Sequence, residues 1–221
     1  MTNVLINARP SPFGRKVAIA MLEKGIDFTV SYDVPWAEDT CTAQHNPLEQ
    51  LPILITDNGE TIYDSAYILT WLEARYPETP LLPADINDVL AAKKRQLLGE
   101  RLMEAAQSLI LERQRPQPSM AWVERQTRKV VGALCALDEM YADRQAPADD
   151  RPIDHGDIAV ATTLLLFEFA VASGLSEAID ALVWRARLPS LTSFVEAIER
   201  RPSFVATGPA HMDVDLKAAM N

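Results

Sequence analysis

Hydrophobic and polar positions follow one pattern up to about residue 80 and another beyond it. Short apolar runs with β-branched members, which are typical of strands, lie at residues 4–6 and 28–30. Between them, Ser11 suits a helix N-cap and Pro12 suits the first helical position, ahead of an apolar side that ends at Gly25. The pattern predicts a strand, a helix and a second strand parallel to the first.

Residues 50–75 extend this unit. Two further strands are predicted at residues 53–56 and 61–63, joined by a turn with the sequence Asp-Asn-Gly. Pro52 opens the first of them, where its missing N–H costs no ladder hydrogen bond. A helix then begins at Asp64-Ser65 and ends near Arg75, with a predicted buried stripe of Ile68, Leu69, Trp71 and Leu72.

Proline-rich residues 76–83 interrupt the pattern, and no strand signal follows them. Long helices are predicted at about residues 87–113 and 119–141, from Asp154 onward, and at residues 189–200. The apolar positions of the first are Leu90, Leu97, Leu98, Leu102, Met103 and Leu109, and those of the second are Val123, Val130, Leu134 and Leu137.

The sequence therefore predicts an α/β thioredoxin-like N-terminal domain plus an all-α C-terminal domain. The expected boundaries are 1–80 for the first domain, 81–86 for a linker and 87–221 for the helical domain. Asp154 and Asp157 suit the N-cap and N3 positions of the central helix, with Ile153 and Ile158 placed for a hydrophobic staple. We assign the two aspartates to stability.

Composition narrows the function classes. The 221 residues include 21 basic and 31 acidic side chains, giving a net charge of −10, and no basic run is interleaved with aromatic residues. Nucleic acid is therefore not an expected partner. Cys41 and Cys135 are too far apart for a metal knuckle or a redox pair, so we expect no metal and a reducing, cytoplasmic setting.

We expect neither a signal for export nor a membrane-spanning segment. The first ten residues lack the basic-then-apolar layout of a signal peptide. Residues 158–175 form the longest apolar stretch, but they include Glu168 and several hydroxyl or small side chains. We interpret this stretch as a buried core helix and expect no membrane partner.

Four motifs resemble those of the glutathione transferase family, and they occur in the family's order along nearly the whole chain. They are Ser11-Pro12-Phe13-Gly14 at the first helix, Gln50-Leu51-Pro52 followed by Asp64-Ser65, the Asp154-His155-Gly156-Asp157 capping motif, and Arg201-Pro202-Ser203-Phe204 before a final helix. Each motif alone is weak evidence, whereas their order together is strong evidence. The resemblance implies the two-domain fold described above.

The resemblance also implies a glutathione site. Ser11 would be the catalytic residue, donating a hydrogen bond to the glutathione sulfur as the thiolate forms. The backbone of Leu51, turned outward by a cis Pro52, would pair with the cysteinyl part of glutathione. Ser65 would bind the γ-glutamyl carboxylate and Asp64 the γ-glutamyl amino group. The remaining predicted binding residues are Phe13 and Gln50.

Each of these residues also has a purely structural interpretation. Ser11, Asp64 and Ser65 are common helix-capping residues, and Pro52 suits any strand edge. Glu49-Gln50 replaces the family's frequent Gly-Lys, so glutathione could bind more weakly unless Arg15 or another cation compensates. Other candidate contacts, assigned loosely, are His45 and Trp36 for glutathione, and Phe13, Met103 and Gln107 for a second, electrophile site.

Two classes of function follow. The first is a glutathione transferase that transfers activated glutathione to a small apolar electrophile held between the domains, as in detoxification. Conjugation, dehalogenation, isomerisation and peroxide reduction all remain open as its reaction. The second is a non-catalytic binding or regulatory module on the same fold, which the loss of lysine at position 50 favours. In either class the resemblance implies a homodimer.

Overall fold

The computed structural model describes residues 2–144, 152–174 and 180–212, and it divides into two compact units. The first unit comprises residues 2–84 together with residues 202–212, and the second comprises the described residues between 85 and 201. The prediction placed 87–221 in the helical domain, whereas residues 202–212 group with the first unit.

The first unit contains a four-stranded sheet with the strand order β2-β1-β3-β4. The elements are β1 (Asn3–Asn7), α1 (Pro12–Glu23), β2 (Phe28–Tyr32), α2 (Thr42–His45), β3 (Ile53–Ile55), β4 (Thr61–Ile62), α3 (Ser65–Arg75) and, near the C-terminus, α8 (Pro202–Ala206). Strands β1 and β2 run parallel, while β3 is antiparallel to both β1 and β4. These observations confirm the predicted parallel crossover and hairpin.

Local sequence explains where these elements begin and end. Helix α1 begins at Pro12 after Ser11 and is followed by Gly25, whose φ of 67° suits glycine. The β3–β4 turn uses Gly59 at φ 87° for the same reason. Of the predicted stripe on α3, Ile68, Leu69 and Leu72 are buried, whereas Trp71 is half-buried beside Tyr76.

Helix α2 was not predicted. It is a single turn held by the Asp33 carboxylate, which accepts hydrogen bonds from the hydroxyls of Thr40 at 2.9 Å and Thr42 at 2.8 Å and from the Cys41 N–H at 3.2 Å. Four residues carry too little periodicity to indicate a helix, and the Asp33 contacts that hold this turn come from seven to nine positions earlier in the chain.

The regular elements of the second unit are all helices, within its described residues. Its elements are α4 (Ile86–Arg113), α5 (Met120–Ala142), α6 (His155–Ala172), a 3-10 turn at Asp180–Leu182 and α7 (Pro189–Ile198). Helices α4 and α6 cross closely, because a Cβ built on Gly156 would lie 2.6 Å from the Ala92 carbonyl oxygen. Thr163 also donates a hydrogen bond to the Gly99 carbonyl at 3.2 Å.

The predicted apolar stripes were right for α5 and partly wrong for α4. All four predicted positions of α5 are buried. On α4, Leu102, Met103 and Leu109 are buried, but Leu90 is 61% and Leu97 is 54% exposed. The buried side of α4 instead includes Ala92, Arg95, Gln96 and Gly99. Small residues let the neighbouring helix approach, and long polar side chains bury their apolar stems against it.

Helix α6 is long and apolar enough to cross a membrane by length and composition alone. In the described structure 67% of it is buried. Burial of this extent is typical of a core helix, which agrees with the interpretation of residues 158–175.

Candidate functional site

The start of α1 holds the predicted catalytic residue. Ser11 is the N-cap, and its Oγ accepts a hydrogen bond from the Gly14 N–H at a long 3.4 Å. A hydroxyl has one proton to donate as well as its acceptor positions, and within the described residues the Ser11 hydroxyl is seen only as an acceptor. Capping and donation to an anion are therefore compatible roles for this half-buried side chain.

Asn7 lies against this first turn and was missed by the sequence analysis. A Cβ built on Gly14 would fall 1.7 Å from Asn7 Oδ1, so only glycine allows this approach of α1 to the end of β1. Asn7 is 7% exposed, and its Oδ1 has no hydrogen-bond partner among the described residues. The available signal was a polar residue ending an apolar strand, four positions before Ser11.

The loop before β3 presents Leu51 outside the sheet. The Leu51–Pro52 peptide bond is cis, as the sequence analysis expected. Pairing between β1 and β3 begins at Ile6 with Ile53, so Leu51 precedes the ladder. The buried Asn46 fixes this loop, since its Nδ2 donates to the Gln50 carbonyl at 2.8 Å and its Oδ1 accepts from the Leu48 N–H at 2.9 Å. Asn46 is a second residue that the sequence analysis missed.

The start of α3 holds the predicted acidic residue and serine. Asp64 is the N-cap, and its Oδ1 accepts from the Ala66 N–H at 2.7 Å. Ser65 is the first helical residue and is 4% exposed. The first N–H groups of a helix have no partner within the helix, so this end suits a carboxylate, while the exposed Asp64 suits an ammonium group.

Arg15, which was one of the cations considered as compensation for the missing lysine, is buried away from the surface. Its side chain is buried on α1, where Nη2 donates to the Phe204 carbonyl at 3.1 Å and Nε donates to the Thr207 hydroxyl at 3.5 Å. The guanidinium also lies 5.6 Å from the centre of the Phe204 ring. These contacts hold Arg15 against α8, which is why residues 202–212 group with the first unit.

The other candidate site residues differ from one another in exposure. Gln50 is exposed, Phe13 and His45 are half-buried, and Trp36 is 39% exposed. In the second unit, Met103 is 4% exposed on α4, whereas Gln107 is exposed on the same helix. The structure therefore places Met103 among core residues.

The cluster at the start of α6 is structural, as the sequence analysis assigned it. Asp154 and Asp157 form a capping box, and the Tyr141 hydroxyl donates to Asp157 at 3.0 Å. Burial, together with the nearby Asp157 charge, raises the pKa of Tyr141 well above its ordinary value. Burial lowers the pKa of Arg144, but its hydrogen bonds and ion pairs with Asp157 and Asp154 outweigh this and raise it.

Cys41 is held in the thiol form. Burial raises its pKa, and so does the Asp33 carboxylate, whose oxygen lies 3.4 Å from Cys41 Sγ. Burial would also raise the pKa of Asp33, but hydrogen bonds from Thr42, Thr40 and Cys41 lower it below the ordinary value. A thiol of this kind is a poor nucleophile, so we assign it no catalytic role.

Comparison with known proteins supports the family resemblance. The family model described as glutathione S-transferase, N-terminal domain, matches residues 5–80. An uncharacterised GST-like protein, YibF, of Escherichia coli strain K12 is 32% identical over 208 residues, which cover 93% of this chain and 98% of the relative.

Solved structures agree over the same extent. A glutathione S-transferase from Methylobacterium radiotolerans, in complex with glutathione sulfonate, superposes with a TM-score of 0.85 at 38% identity, covering 97% of this chain and 98% of that one. A glutathione S-transferase from Methylobacillus flagellatus with glutathione bound gives 0.84 at 29% identity, covering 95% and 100%. Fold, motif order and full-length similarity agree, and the chain belongs to the glutathione transferase family.

Proposed function

We propose that this chain binds glutathione and stabilises its thiolate for attack on a small apolar electrophile. The observation that carries the proposal is the start of α1, where the Ser11 oxygen accepts the capping hydrogen bond from the Gly14 N–H. This bond does not use the hydroxyl proton, which would donate to the sulfur of a bound glutathione. Similar proteins with glutathione or glutathione sulfonate bound support the choice of ligand.

The thiolate requires a defined amount of stabilisation. A free thiol has a pKa near 8.5, so most glutathione is protonated at neutral pH, and each unit of lowering needs about 1.4 kcal/mol. A hydrogen bond to a charged group contributes about 1.5–3 kcal/mol, and a helix N-terminus contributes about 0.3–1 kcal/mol. Ser11 and α1 together are therefore expected to lower the thiol pKa by about one to three units.

Two other parts of the first unit suit the rest of the tripeptide. The start of α3 offers N–H groups and the Ser65 hydroxyl to the γ-glutamyl carboxylate, and the Asp64 carboxylate to its ammonium group. Leu51, which precedes the ladder, offers its backbone to the cysteinyl residue as an added strand. The side chains of Phe13, Gln50 and Pro52 complete the proposed site.

Calorimetry and ultraviolet titration of the bound thiolate test this proposal. We expect glutathione to bind to the wild-type protein with a lowered thiol pKa, and Ser11→Ala to raise that pKa by about one to two units while changing affinity only a few-fold. Ser119→Ala is the matched control, because Ser119 caps α5 through the same kind of 3.4 Å bond, to the Trp122 N–H.

Each result has a distinct meaning. No binding at millimolar glutathione would favour the non-catalytic binding or regulatory module. Binding with an unchanged thiol pKa in Ser11→Ala would keep the site and remove the catalytic role of Ser11. A panel of electrophiles measured with the wild-type protein would then separate conjugation from the other reactions.

We also propose a homodimer that acts in the cytoplasm, with detoxification as its role. The family membership supports these assignments, and light scattering after size exclusion tests the first of them. A mass of about twice the 24.5 kDa of one chain is the expected result.

A further inference from the structure

The loop beside the proposed glutathione site carries a negative charge where the family often has a positive one. Glu49 and Gln50 are both exposed, and Asn46 fixes the backbone of this loop by its two hydrogen bonds. Glu49 is held at φ 52°, in the left-handed region. The loop therefore offers a carboxylate and a neutral amide in a defined conformation.

Four of the five lysine and arginine side chains of residues 2–84 have described contacts outside this loop. Arg15 is buried against α8, as described above. Lys16 is 1% exposed, with its Nζ 5.9 Å from the centre of the Phe13 ring. Neither side chain is available at the surface of the loop.

Lys24 and Arg75 lie at the far ends of their helices. Lys24 follows α1, donates to the carbonyls of Tyr76 at 3.0 Å and Thr79 at 2.8 Å, and pairs with Glu73 at 2.9 Å. Arg75 ends α3, which places its backbone about 15 Å along the helix from Ser65, at 1.5 Å per residue.

Arg9 contacts the end of β2. Its guanidinium stacks 4.1 Å above the ring of Tyr32, which is the last residue of β2. The sheet order puts β2 and β3 on opposite sides of β1, and the loop of Glu49 and Gln50 leads into β3. The described contacts of the lysine and arginine side chains of residues 2–84 are therefore made with groups outside the loop of Glu49 and Gln50.

The proposed function fixes which part of glutathione meets the loop. If the γ-glutamyl end lies at the start of α3 and the cysteinyl residue pairs with Leu51, the glycyl end extends past Leu51 on the side of Gln50 and Glu49. A free glycyl carboxylate would then face the Glu49 carboxylate. The Gln50 amide can donate equally to a carboxylate or to an ester or amide carbonyl.

We infer, on the basis of the proposed function, that this site prefers glutathione whose glycyl carboxylate is masked as an ester or amide. Masking removes one negative charge opposite Glu49 and keeps the carbonyl acceptor for Gln50. Removing the repulsion between exposed like charges is expected to favour the masked ligand by about twofold to fivefold at low ionic strength.

Calorimetric titration with glutathione and with its glycyl monoethyl ester tests this inference. The wild-type protein should bind the ester about twofold to fivefold more tightly than glutathione. Gln50→Lys should reverse the order, and Glu49→Gln should bring the two affinities together. Glu60→Gln is the matched control, since Glu60 is exposed and lies in the β3–β4 turn, and it should leave the wild-type ratio unchanged.

Tighter binding of free glutathione than of the ester by the wild-type protein would overturn the inference, and so would an unchanged ratio in Gln50→Lys. Both outcomes leave the proposed function intact. Failure of both thiols to bind would overturn the proposed function and this inference with it. Thermal unfolding of each variant shows that it is folded, which is expected because residues 49, 50 and 60 are exposed.

Discussion

The starts of α1 and α6 use the same capping principle with opposite outcomes. At α6, Asp154 Oδ1 accepts from the Asp157 N–H at 2.9 Å, and Oδ2 accepts from Arg95 at 2.6 Å and Arg144 at 2.7 Å. At α1, the Ser11 hydroxyl accepts one bond of 3.4 Å. A cap whose oxygens are all occupied stabilises the fold, whereas a cap with an unused donor can serve a ligand.

Asp154→Asn is expected to have the largest effect on stability, because it removes the negative charge with which the α6 cap pairs two arginines. Asparagine still caps the helix, but it leaves the Arg95 and Arg144 guanidinium groups without this carboxylate. We expect the free energy of unfolding to fall by about 3 kcal/mol, as for other broken buried pairs. Denaturant unfolding monitored by circular dichroism measures it.

Asp64→Asn is the control for that substitution. Asp64 caps α3 through one bond to the Ala66 N–H and is exposed, and asparagine caps as well as aspartate. We expect a change within about 0.5 kcal/mol. Equal losses in the two variants would show that both helix starts depend on charge to the same extent, which would remove the contrast.

Gly14→Ala tests the close approach of Asn7 to the start of α1. Its new Cβ would lie 1.7 Å from Asn7 Oδ1, so either the Asn7 side chain or the helix must move. We expect a loss of about 2–3 kcal/mol in the free energy of unfolding, which is typical of overpacking. Thermal and denaturant unfolding measure the loss, and glutathione titration shows whether the start of α1 has moved.

Gly132→Ala supplies the comparison for the glycine. A Cβ at Gly132, in the middle of α5, would meet nothing within 4 Å. Alanine should therefore stabilise the protein by up to about 1 kcal/mol through helix propensity. A loss at Gly132 as large as that at Gly14 would contradict the close approach of Asn7.

Helix starts, the parallel crossover and the hairpin could be predicted from the sequence because their signals are local. Ser11 and Asp154 cap the predicted helices, and the stripe on α5 follows from its period. The buried role of Arg15 could not be predicted, since its partners Phe204 and Thr207 are about 190 positions away along the chain.

The same reasoning explains the smaller errors. Leu90 and Leu97 fit a helical period on α4, but helix crossing at glycine placed a different side of α4 against its neighbours. The loop at Glu49 carried no glycine to signal its left-handed backbone. Of the candidate site, the motif positions could be predicted, whereas the supporting Asn7 and Asn46 act through loop and turn geometry that hydrophobic periodicity does not encode.

Asp33→Asn tests how the Asp33 carboxylate, which accepts several hydrogen bonds in the first unit, affects the neighbouring Cys41 thiol. Burial and the Asp33 charge both raise the pKa of Cys41, so removing the charge should lower that pKa and increase the thiolate fraction. We expect alkylation of Cys41 by iodoacetamide at pH 8 to become about threefold to tenfold faster. Site-resolved mass spectrometry measures the rate, and the pH at half-maximal rate should move down.

Cys135 is the internal control, because it is exposed on α5 and its rate should not change. Thr40→Ala distinguishes charge from loosening of the loop, since it removes one hydrogen bond to Asp33 but keeps the carboxylate. Equal acceleration of Cys41 in Thr40→Ala and Asp33→Asn would mean that exposure, and not the charge, controls this thiol.

Glu49→Gly should give the smallest effect and concerns the loop that leads to the open site. Glycine adopts φ near 52° without the steric cost that glutamate bears there, although it adds entropy to the unfolded chain. We expect a net gain of about 0.5–1 kcal/mol in the free energy of unfolding. Glu60→Gly, at an exposed position outside the left-handed region, should lose a similar amount. Losses of stability in both variants would mean that the left-handed backbone of Glu49 carries no such steric cost.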